Sequence, residues 1–234
     1  MKRSILIICS FLFIICSLFA QKNEPVIVKA GTRVIDYFPV ADRYLYADFT
    51  KGEAVFRNER IYPSMFNYNF LTSEMEFIKS NDTLYITDKR DLLSIVVAQD
   101  TFYHHNGYLQ MIRSGQFKVF LKQSIVMKDI RKKGAMGTVN RSAASESYDY
   151  LLTAGLSTDL VADIDLVLQK EELYFFSISG EDFVRFNKKN IIKILPGKKD
   201  IIKNYIQSKK IDFESREDLL NLADIVSKLL SEKL

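Results

Sequence analysis

Short strand-like segments, about ten residues apart and separated by polar turns, run through most of this chain. Residues 64–70 (SMFNYNF) and 117–122 (FKVFLK) are typical, because they alternate in polarity or are rich in aromatic and β-branched side chains. A hairpin-forming pair, Asn106-Gly107, lies between two such segments. Strands at this spacing are typical of an antiparallel meander. We therefore predict a β-rich domain over residues 21–186, built as a sheet or a partial barrel.

The strand pattern is interrupted at residues 131–155, where small and polar side chains dominate and three of the nine glycines lie. Loops longer than about 12–15 residues are usually functional or disordered. We predict a long loop at this place. The pattern returns in residues 159–169 and 172–178, which we predict to be two closing strands.

After Phe186 the apolar residues take the spacing of helices. Asn187 is placed to cap a short helix, and Ser215 and Asp218 have the spacing of a capping box at the start of a longer one. We predict an α+β fold in which residues 187–234 form a C-terminal segment of about three helices. The last helix has apolar residues at intervals of three and four: Leu219, Leu222, Ala223, Val226, Leu229 and Leu230. Such a stripe predicts packing on the sheet, with a partner-binding helix as the alternative.

The N-terminus has the three-part pattern of a secretory signal peptide. Lys2 and Arg3 precede an apolar stretch, which ends at the small residue Ala20. The stretch is shorter than the roughly 20 apolar residues of a membrane-spanning helix. We predict that residues 1–20 are a cleaved signal peptide and that the protein is exported. The periplasm is the predicted location, with an extracellular or outer-membrane-associated location as alternatives.

Cleavage would remove both cysteines, Cys9 and Cys16. A lipoprotein is a weaker alternative, since isoleucines rather than small residues precede Cys16. The mature chain of 214 residues would then have no thiol, disulfide or thiolate metal site, and it is long enough to be held by core packing. It would carry 31 basic residues (33 less Lys2 and Arg3) against 29 acidic ones. A net charge near +2 predicts no broad field for nucleic acid.

The order of these motifs resembles a group of exported proteins from Bacteroidota-type bacteria that have no assigned reaction. Residues 51–78 hold a Gly-Glu strand, a turn, the pair Tyr68-Asn69 and a Glu-rich strand, and the tail is similar to the closing segment of that group. The likeness covers most of residues 52–130 and 172–226. It implies export and a β-then-helix architecture, and it implies no catalytic residue.

The chain has two histidines, His104 and His105, which are adjacent. Neighbouring residues of a strand point to opposite faces of a sheet, so the two imidazoles cannot share one ion without a bulge. A zinc site would need further ligands, and the mature chain would supply no cysteine. We predict that both are surface residues beside the hairpin turn, with no metal or catalytic role.

Two carboxylate pairs, Glu74/Glu76 and Asp163/Asp165, have a spacing that places both members on one face of a strand. Such pairs suit glycosidase chemistry or a calcium ion, although the solvated face of an antiparallel sheet usually carries them. Ser145 lies in the predicted loop without a Gly-x-Ser-x-Gly elbow, and it would need a histidine beside it to act as a nucleophile.

Two other segments predict no ligand. Residues 134–138 (GAMGT) lack the lysine of a P-loop and the third glycine of a dinucleotide fingerprint, so we predict no nucleotide. The lysine-rich residues 198–210 could lie on an anionic membrane. Acidic residues close by partly cancel their charge, so we predict weak or absent membrane association.

No catalytic, cofactor-binding or metal-ligating residue is therefore predicted, and no cofactor. We expect a non-enzymatic binding or accessory protein of the bacterial cell envelope, with an envelope protein as partner. Aromatic-rich strands and a loop containing Tyr148 and Tyr150 support this, because partner surfaces are commonly built from them. The alternatives are a hydrolase of envelope polymers or glycans that uses the carboxylate pairs, and a peripheral membrane protein.

Overall fold

The structure is a computed structural model, and it describes residues 24–133, 139–141, 161, 165–180 and 182–232. The predicted signal peptide with its two cysteines, and most of the predicted loop at 131–155, lie outside these residues. Within this part of the chain, no helix is long and apolar enough to cross a membrane.

Twelve strands of the described chain form one antiparallel sheet: β1 (Val26–Val28), β2 (Thr50–Phe56), β3 (Ile61–Asn69), β4 (Glu74–Lys79), β5 (Asp82–Tyr85), β6 (Leu92–Val97), β7 (Asp100–His104), β8 (Tyr108–Arg113), β9 (Lys118–Lys133), β10 (Val139–Arg141), β11 (Asp165–Ser177) and β12 (Val184–Arg185). The strand order is β1-β11-β9-β8-β7-β6-β2-β3-β4-β5, with β10 beside β9 and β12 beside β11. The sheet is open, with β1 and β5 at its edges. The predicted antiparallel meander is confirmed, as a sheet rather than a closed barrel.

Helices occupy two places in the described chain: α1 (Val40–Arg43) and a 3₁₀ helix (Val34–Tyr37) before the meander, and α2 (Lys188–Ile194), α3 (Lys199–Lys209) and α4 (Arg216–Ser231) after it. The predicted C-terminal segment of about three helices is confirmed. Asn187 caps α2 by accepting the N–H of Asn190 at 2.9 Å, and Ser215 caps α4 by accepting the N–H of Asp218 at 3.3 Å. Asp218 does not complete the box on Ser215, because its carboxylate accepts the N–H of Asp212 instead.

The two longest strands, β9 and β11, differ from the sequence prediction. β11 is one strand of 13 residues, so the prediction of two closing strands is wrong. The polar run that indicated a break lies within β11, where Glu171 and Glu172 bind Lys128 and Gln123 of β9. Because these polar side chains have cross-strand partners, the strand continues through them without a break.

β9 also runs further than predicted, to Lys133, and it pairs with β10. Residues 131–133 and 139–141 of the predicted long loop are therefore strands. Residues 134–138 and 142–155 of that loop lie outside the described residues.

The buried apolar residues form two clusters. The sheet core lies within the curl of the sheet, under the segment that carries α1; its buried members include Val34, Phe38, Ala54, Phe66, Tyr68, Met75, Ile95, Phe102, Ile125 and Leu168. The helix core lies between the other end of β9 and β11 and the C-terminal helices; its buried members include Phe117, Val119, Leu121, Tyr174, Phe176, Ile191, Ile202, Leu219, Leu222 and Val226. The predicted apolar stripe of the last helix thus packs on the sheet.

Hydrogen bonds fix the curl of the sheet around the sheet core and the position of α4 on the sheet. The N–H of Ile125 in β9 donates to the carbonyl of Phe70, just after β3, at 2.8 Å, which shows how far the sheet curls around the sheet core. Arg113 of β8 donates to Asp224 and Ser227 of α4, each at 3.0 Å, and so ties the last helix to the sheet.

Candidate functional site

The two histidines flank a tight turn and diverge. Asn106 and Gly107 have φ angles of 48° and 94°, in the left-handed region that such turns require. The ring of His104 lies 5.4 Å from the ring of Tyr108, whereas the ring of His105 lies 5.3 Å from that of Phe183. Burial, followed by the charge of Lys89, lowers the pKa of His104. The two imidazoles therefore contact different residues and do not converge on one point.

Glu74 forms a partly buried ion pair with Lys89. Both carboxylate oxygens of Glu74 accept hydrogen bonds from the Lys89 ammonium, at 2.5 and 2.7 Å. The two side chains are 17% and 16% exposed. Burial raises the pKa of Glu74, and Lys89 opposes the rise. Lys89 therefore occupies both oxygens that a catalytic carboxylate would need.

Glu76 is also fully engaged, although it lies two residues away on the same strand. One oxygen accepts the hydroxyl of Tyr44 at 2.6 Å and the other accepts the amide of Asn69 at 2.9 Å. Next to them, the side chain of Asn67 exchanges two hydrogen bonds with the backbone of Tyr46, at 2.8 and 3.0 Å. These contacts hold the segment after α1 against β3 and β4, which is a structural role.

Asp165, the described member of the second carboxylate pair, lies elsewhere in the sheet. Asp165 binds the ammonium of Lys29 at 2.8 Å and accepts the N–H of Ala30 at 3.0 Å. Its strand, β11, is separated from β4 by six strands in the sheet order. Asp163 and Ser145 lie outside the described residues, as do Tyr148 and Tyr150. In the sheet order, Asp165 therefore lies far from Glu74 and Glu76.

A wide cleft of about 780 Å³ lies next to the Glu74–Lys89 pair; it is lined by Thr87, Asp88, Lys89, Arg90 and His104. Asp88 and Arg90 bind each other at 2.6 Å. The charges that face this cleft are therefore largely paired. Within the described ranges, no group of three or more His, Cys, Asp or Glu side chains could hold a metal ion.

The lysine-rich segment considered above as an alternative membrane contact forms α3. Its buried side chains, Ile202 and Ile206, belong to the helix core. Ile201, next to Ile202, is exposed. The apolar face that would enter a membrane is thus already covered by protein.

An apolar cavity of about 440 Å³, which the sequence pattern did not predict, lies over the strands β2 to β5. The cavity is lined by Ala54, Phe56, Tyr62, Pro63, Ser64, Phe66, Phe77, Ile78, Lys79, Leu84 and Ile86. The strand register creates it, because Phe66 lies opposite Phe77 and Phe77 lies opposite Leu84. Directly paired residues point to the same face of a sheet. The same face carries the sheet core, so the cavity continues that core where the described residues do not cover it.

Gly52 of β2 allows the strands beneath the cavity to approach closely. A Cβ atom at this position would lie 2.4 Å from the carbonyl oxygen of Val96 and 3.1 Å from the ring of Phe66. Glycine at this position therefore lets β2 pair with β6 and lets the ring of Phe66 lie close to β2.

The exposure of the lining side chains varies across the cavity. Ala54 and Phe66 at the floor are each 2% exposed and belong to the sheet core. Tyr62 and Leu84 at the mouth are 51% and 42% exposed, and Lys79 is exposed beside them. The cavity is thus a pocket with an apolar floor and an open mouth.

Comparisons with protein-family models, curated proteins and solved structures find no match to this chain. The resemblance to exported Bacteroidota-type proteins therefore stays a prediction.

Proposed function

We propose that this chain is an exported, non-enzymatic binding protein of the bacterial cell envelope, and that the apolar cavity is its ligand site. The observation that carries the proposal is the open continuation of the sheet core over β2 to β5. Its volume of about 440 Å³ lies within the range of about 300–1,000 Å³ that is usual for small-molecule pockets. Such pockets are mainly apolar, with a few polar groups that orient the ligand.

The lining supports binding rather than a reaction. The polar side chains in it are Tyr62, Ser64 and Lys79, and the hydroxyl of Ser64 already donates to the carbonyl of Ile78 at 2.8 Å. A nucleophile needs a base within hydrogen-bond reach, and the lining includes no histidine or carboxylate. The cavity therefore offers an apolar surface for a ligand and polar groups that can orient it.

The contacts of the carboxylates weigh against the hydrolase alternative. Glycoside hydrolysis needs one carboxyl group that donates a proton and a second that acts as a base or nucleophile across the same bond. Glu74 is bound to Lys89, and Glu76 is bound to Tyr44 and Asn69. Neither carboxylate lines the cavity.

Calorimetric titration of the purified protein with dodecanol, a neutral apolar probe, tests the binding site. We expect saturable binding, and we expect Leu84→Glu to weaken it at least about tenfold, because a carboxylate in the apolar mouth would have to be desolvated. Leu93→Glu is the matched control, since Leu93 is 38% exposed on β6 and does not line the cavity. Absence of binding, or equal losses in both variants, would overturn the proposal.

Export rests on the N-terminal sequence and has its own test. Fractionation of the source cells, with N-terminal sequencing of the recovered protein, should find a mature chain that begins at Gln21 in the periplasm or outer membrane. Full-length protein in the cytoplasm would overturn the export proposal. Crosslinking in the same cells tests for an envelope protein as a partner.

A further inference from the structure

We propose that the ligand of the cavity is a free amphiphile with an aliphatic chain and one anionic head group, such as a fatty acid, bound with its head at Lys79. This inference rests on the proposed function and names the class of ligand for the same site.

The position of Lys79 is the first argument. One of the eleven lining residues is charged, and that residue is Lys79. It ends β4 and lies opposite Asp82 in the register, yet no ion pair joins it to Asp82 or to another residue of the described chain. An exposed ammonium beside an apolar opening complements an anionic group that is attached to an apolar body.

The direction of the polarity is the second argument. Lys79 ends β4 and Tyr62 lies near the start of β3, so both lie at the same end of two antiparallel strands. Phe66 lies four residues further along β3 than Tyr62, at the sheet core, whereas Ala54 lies directly opposite Tyr62. A ligand with its tail on Phe66 and its head beside Lys79 would bury its apolar part and keep its charge in water, which is the arrangement of lowest desolvation cost.

The shape of the cavity favours a chain over a single ring. The lining comes from four neighbouring strands, which at a spacing of roughly 4.8 Å span about 14 Å. The aromatic residues of the lining already contact one another, with 5.5 Å between the rings of Phe56 and Tyr62 and 6.0 Å between those of Phe66 and Phe77. An extended aliphatic chain can lie across such a surface without separating these ring pairs.

The test compares three probes with the same chain: dodecanoate, dodecanol and dodecyltrimethylammonium. We expect dodecanoate to bind most tightly, with Lys79→Glu weakening it by roughly twofold to fivefold, the range expected for an exposed ion pair. The same substitution should leave dodecanol binding unchanged. Asp82→Asn should strengthen dodecanoate binding, because it removes the acidic group opposite Lys79. Lys51→Glu is the control, since Lys51 is an exposed lysine of β2 outside the lining.

The outcomes separate this inference from the proposed function. The inference is wrong, while the binding site stands, if the three probes bind equally or the cationic probe binds best. It is also wrong if Lys79→Glu has no effect on the binding of dodecanoate. If no probe binds, the proposed function itself fails. Added salt should reduce the preference for dodecanoate and leave dodecanol unaffected, since an exposed ion pair is screened by salt.

Discussion

The sheet core and the helix core are built on the same two strands, but they are covered differently. β9 and β11 contribute Ile125 and Leu168 to the sheet core, and Leu121 and Tyr174 to the helix core. Three helices cover the helix core, whereas among the described residues the segment around α1 covers one part of the sheet core. The described residues therefore leave an apolar part of the sheet core, over β2 to β5, open to a ligand.

A polar belt separates the two cores along β9 and β11. The amide of Gln123 donates to Glu172 at 2.8 Å, and the ammonium of Lys170 lies 3.6 Å from the centre of the Phe70 ring. Burial lowers the pKa of Lys170. These contacts satisfy polar side chains that lie between the two cores.

The largest expected loss of stability is in the helix core, which the C-terminal helices cover. Leu222 of α4 is fully buried in the helix core, so Leu222→Ala should lower the free energy of unfolding by about 2–5 kcal/mol, through lost burial and the cavity left behind. Urea unfolding followed by circular dichroism measures the change. If the variant does not fold, Val226→Ala is a smaller deletion on the same face of α4. A loss below about 1 kcal/mol for Leu222→Ala would mean that α4 is loosely docked.

The Glu74–Lys89 pair tests a polar contact beside the sheet core. Lys89→Met would leave a partly buried carboxylate without its partner, at a cost of about 1–3 kcal/mol. Burial, which already raises the pKa of Glu74, would then act unopposed. The folded state would hold the proton of Glu74 over a pH range in which the unfolded chain has released it, so stability would fall as pH rises through that range.

Lys89→Met should accordingly be more destabilising at about pH 8 than at about pH 4. Urea unfolding at both values measures this. Glu74→Gln combined with Lys89→Met is the control, because it removes the titrating group and should abolish the difference between the two pH values. A loss that does not depend on pH in the single variant would show that Lys89 acts by packing, for example on the Tyr108 ring 5.8 Å away.

A smaller effect is expected at the start of α4. Ser215→Ala removes the side-chain acceptor of the Asp218 N–H and should cost about 1 kcal/mol. Ser208→Ala is a matched control, since Ser208 is an exposed serine near the end of α3 that donates to the carbonyl of Tyr205. Equal effects of the two substitutions would argue against the cap.

The features that the sequence predicted well are local. Asn187 and Ser215 each accept the N–H of the residue three positions later, Asn190 and Asp218. Because both partners are so close in the sequence, the spacing alone identified these two caps. The polar run at Glu171 and Glu172 was misread as a break, because its partners Lys128 and Gln123 lie 43 and 49 residues away and cannot be paired without the register.

The cavity could not be predicted for a related reason. The alternation of Tyr62, Ser64 and Phe66 indicates an apolar face of β3, but a sequence does not show whether another element covers that face. The lining comes from residues 54 to 86, on four strands, and only the pairing of Phe66 with Phe77 and of Phe77 with Leu84 brings them together. The paired carboxylates are visible in the sequence, and the structure shows Glu74, Glu76 and Asp165 bound to neighbouring residues.

The smallest expected effect completes the comparison. Leu84→Ala removes the same atoms as Leu222→Ala, but from the open mouth of the cavity, so it should change the free energy of unfolding by no more than about 0.5 kcal/mol. The same urea experiment measures both variants. If Leu84→Ala instead costs as much as Leu222→Ala, Leu84 is buried in solution and the strands β2 to β5 have closed over the cavity. A small effect on stability together with weakened dodecanol binding would show that Leu84 serves the ligand rather than the fold, which is the property that separates the open core from the covered one.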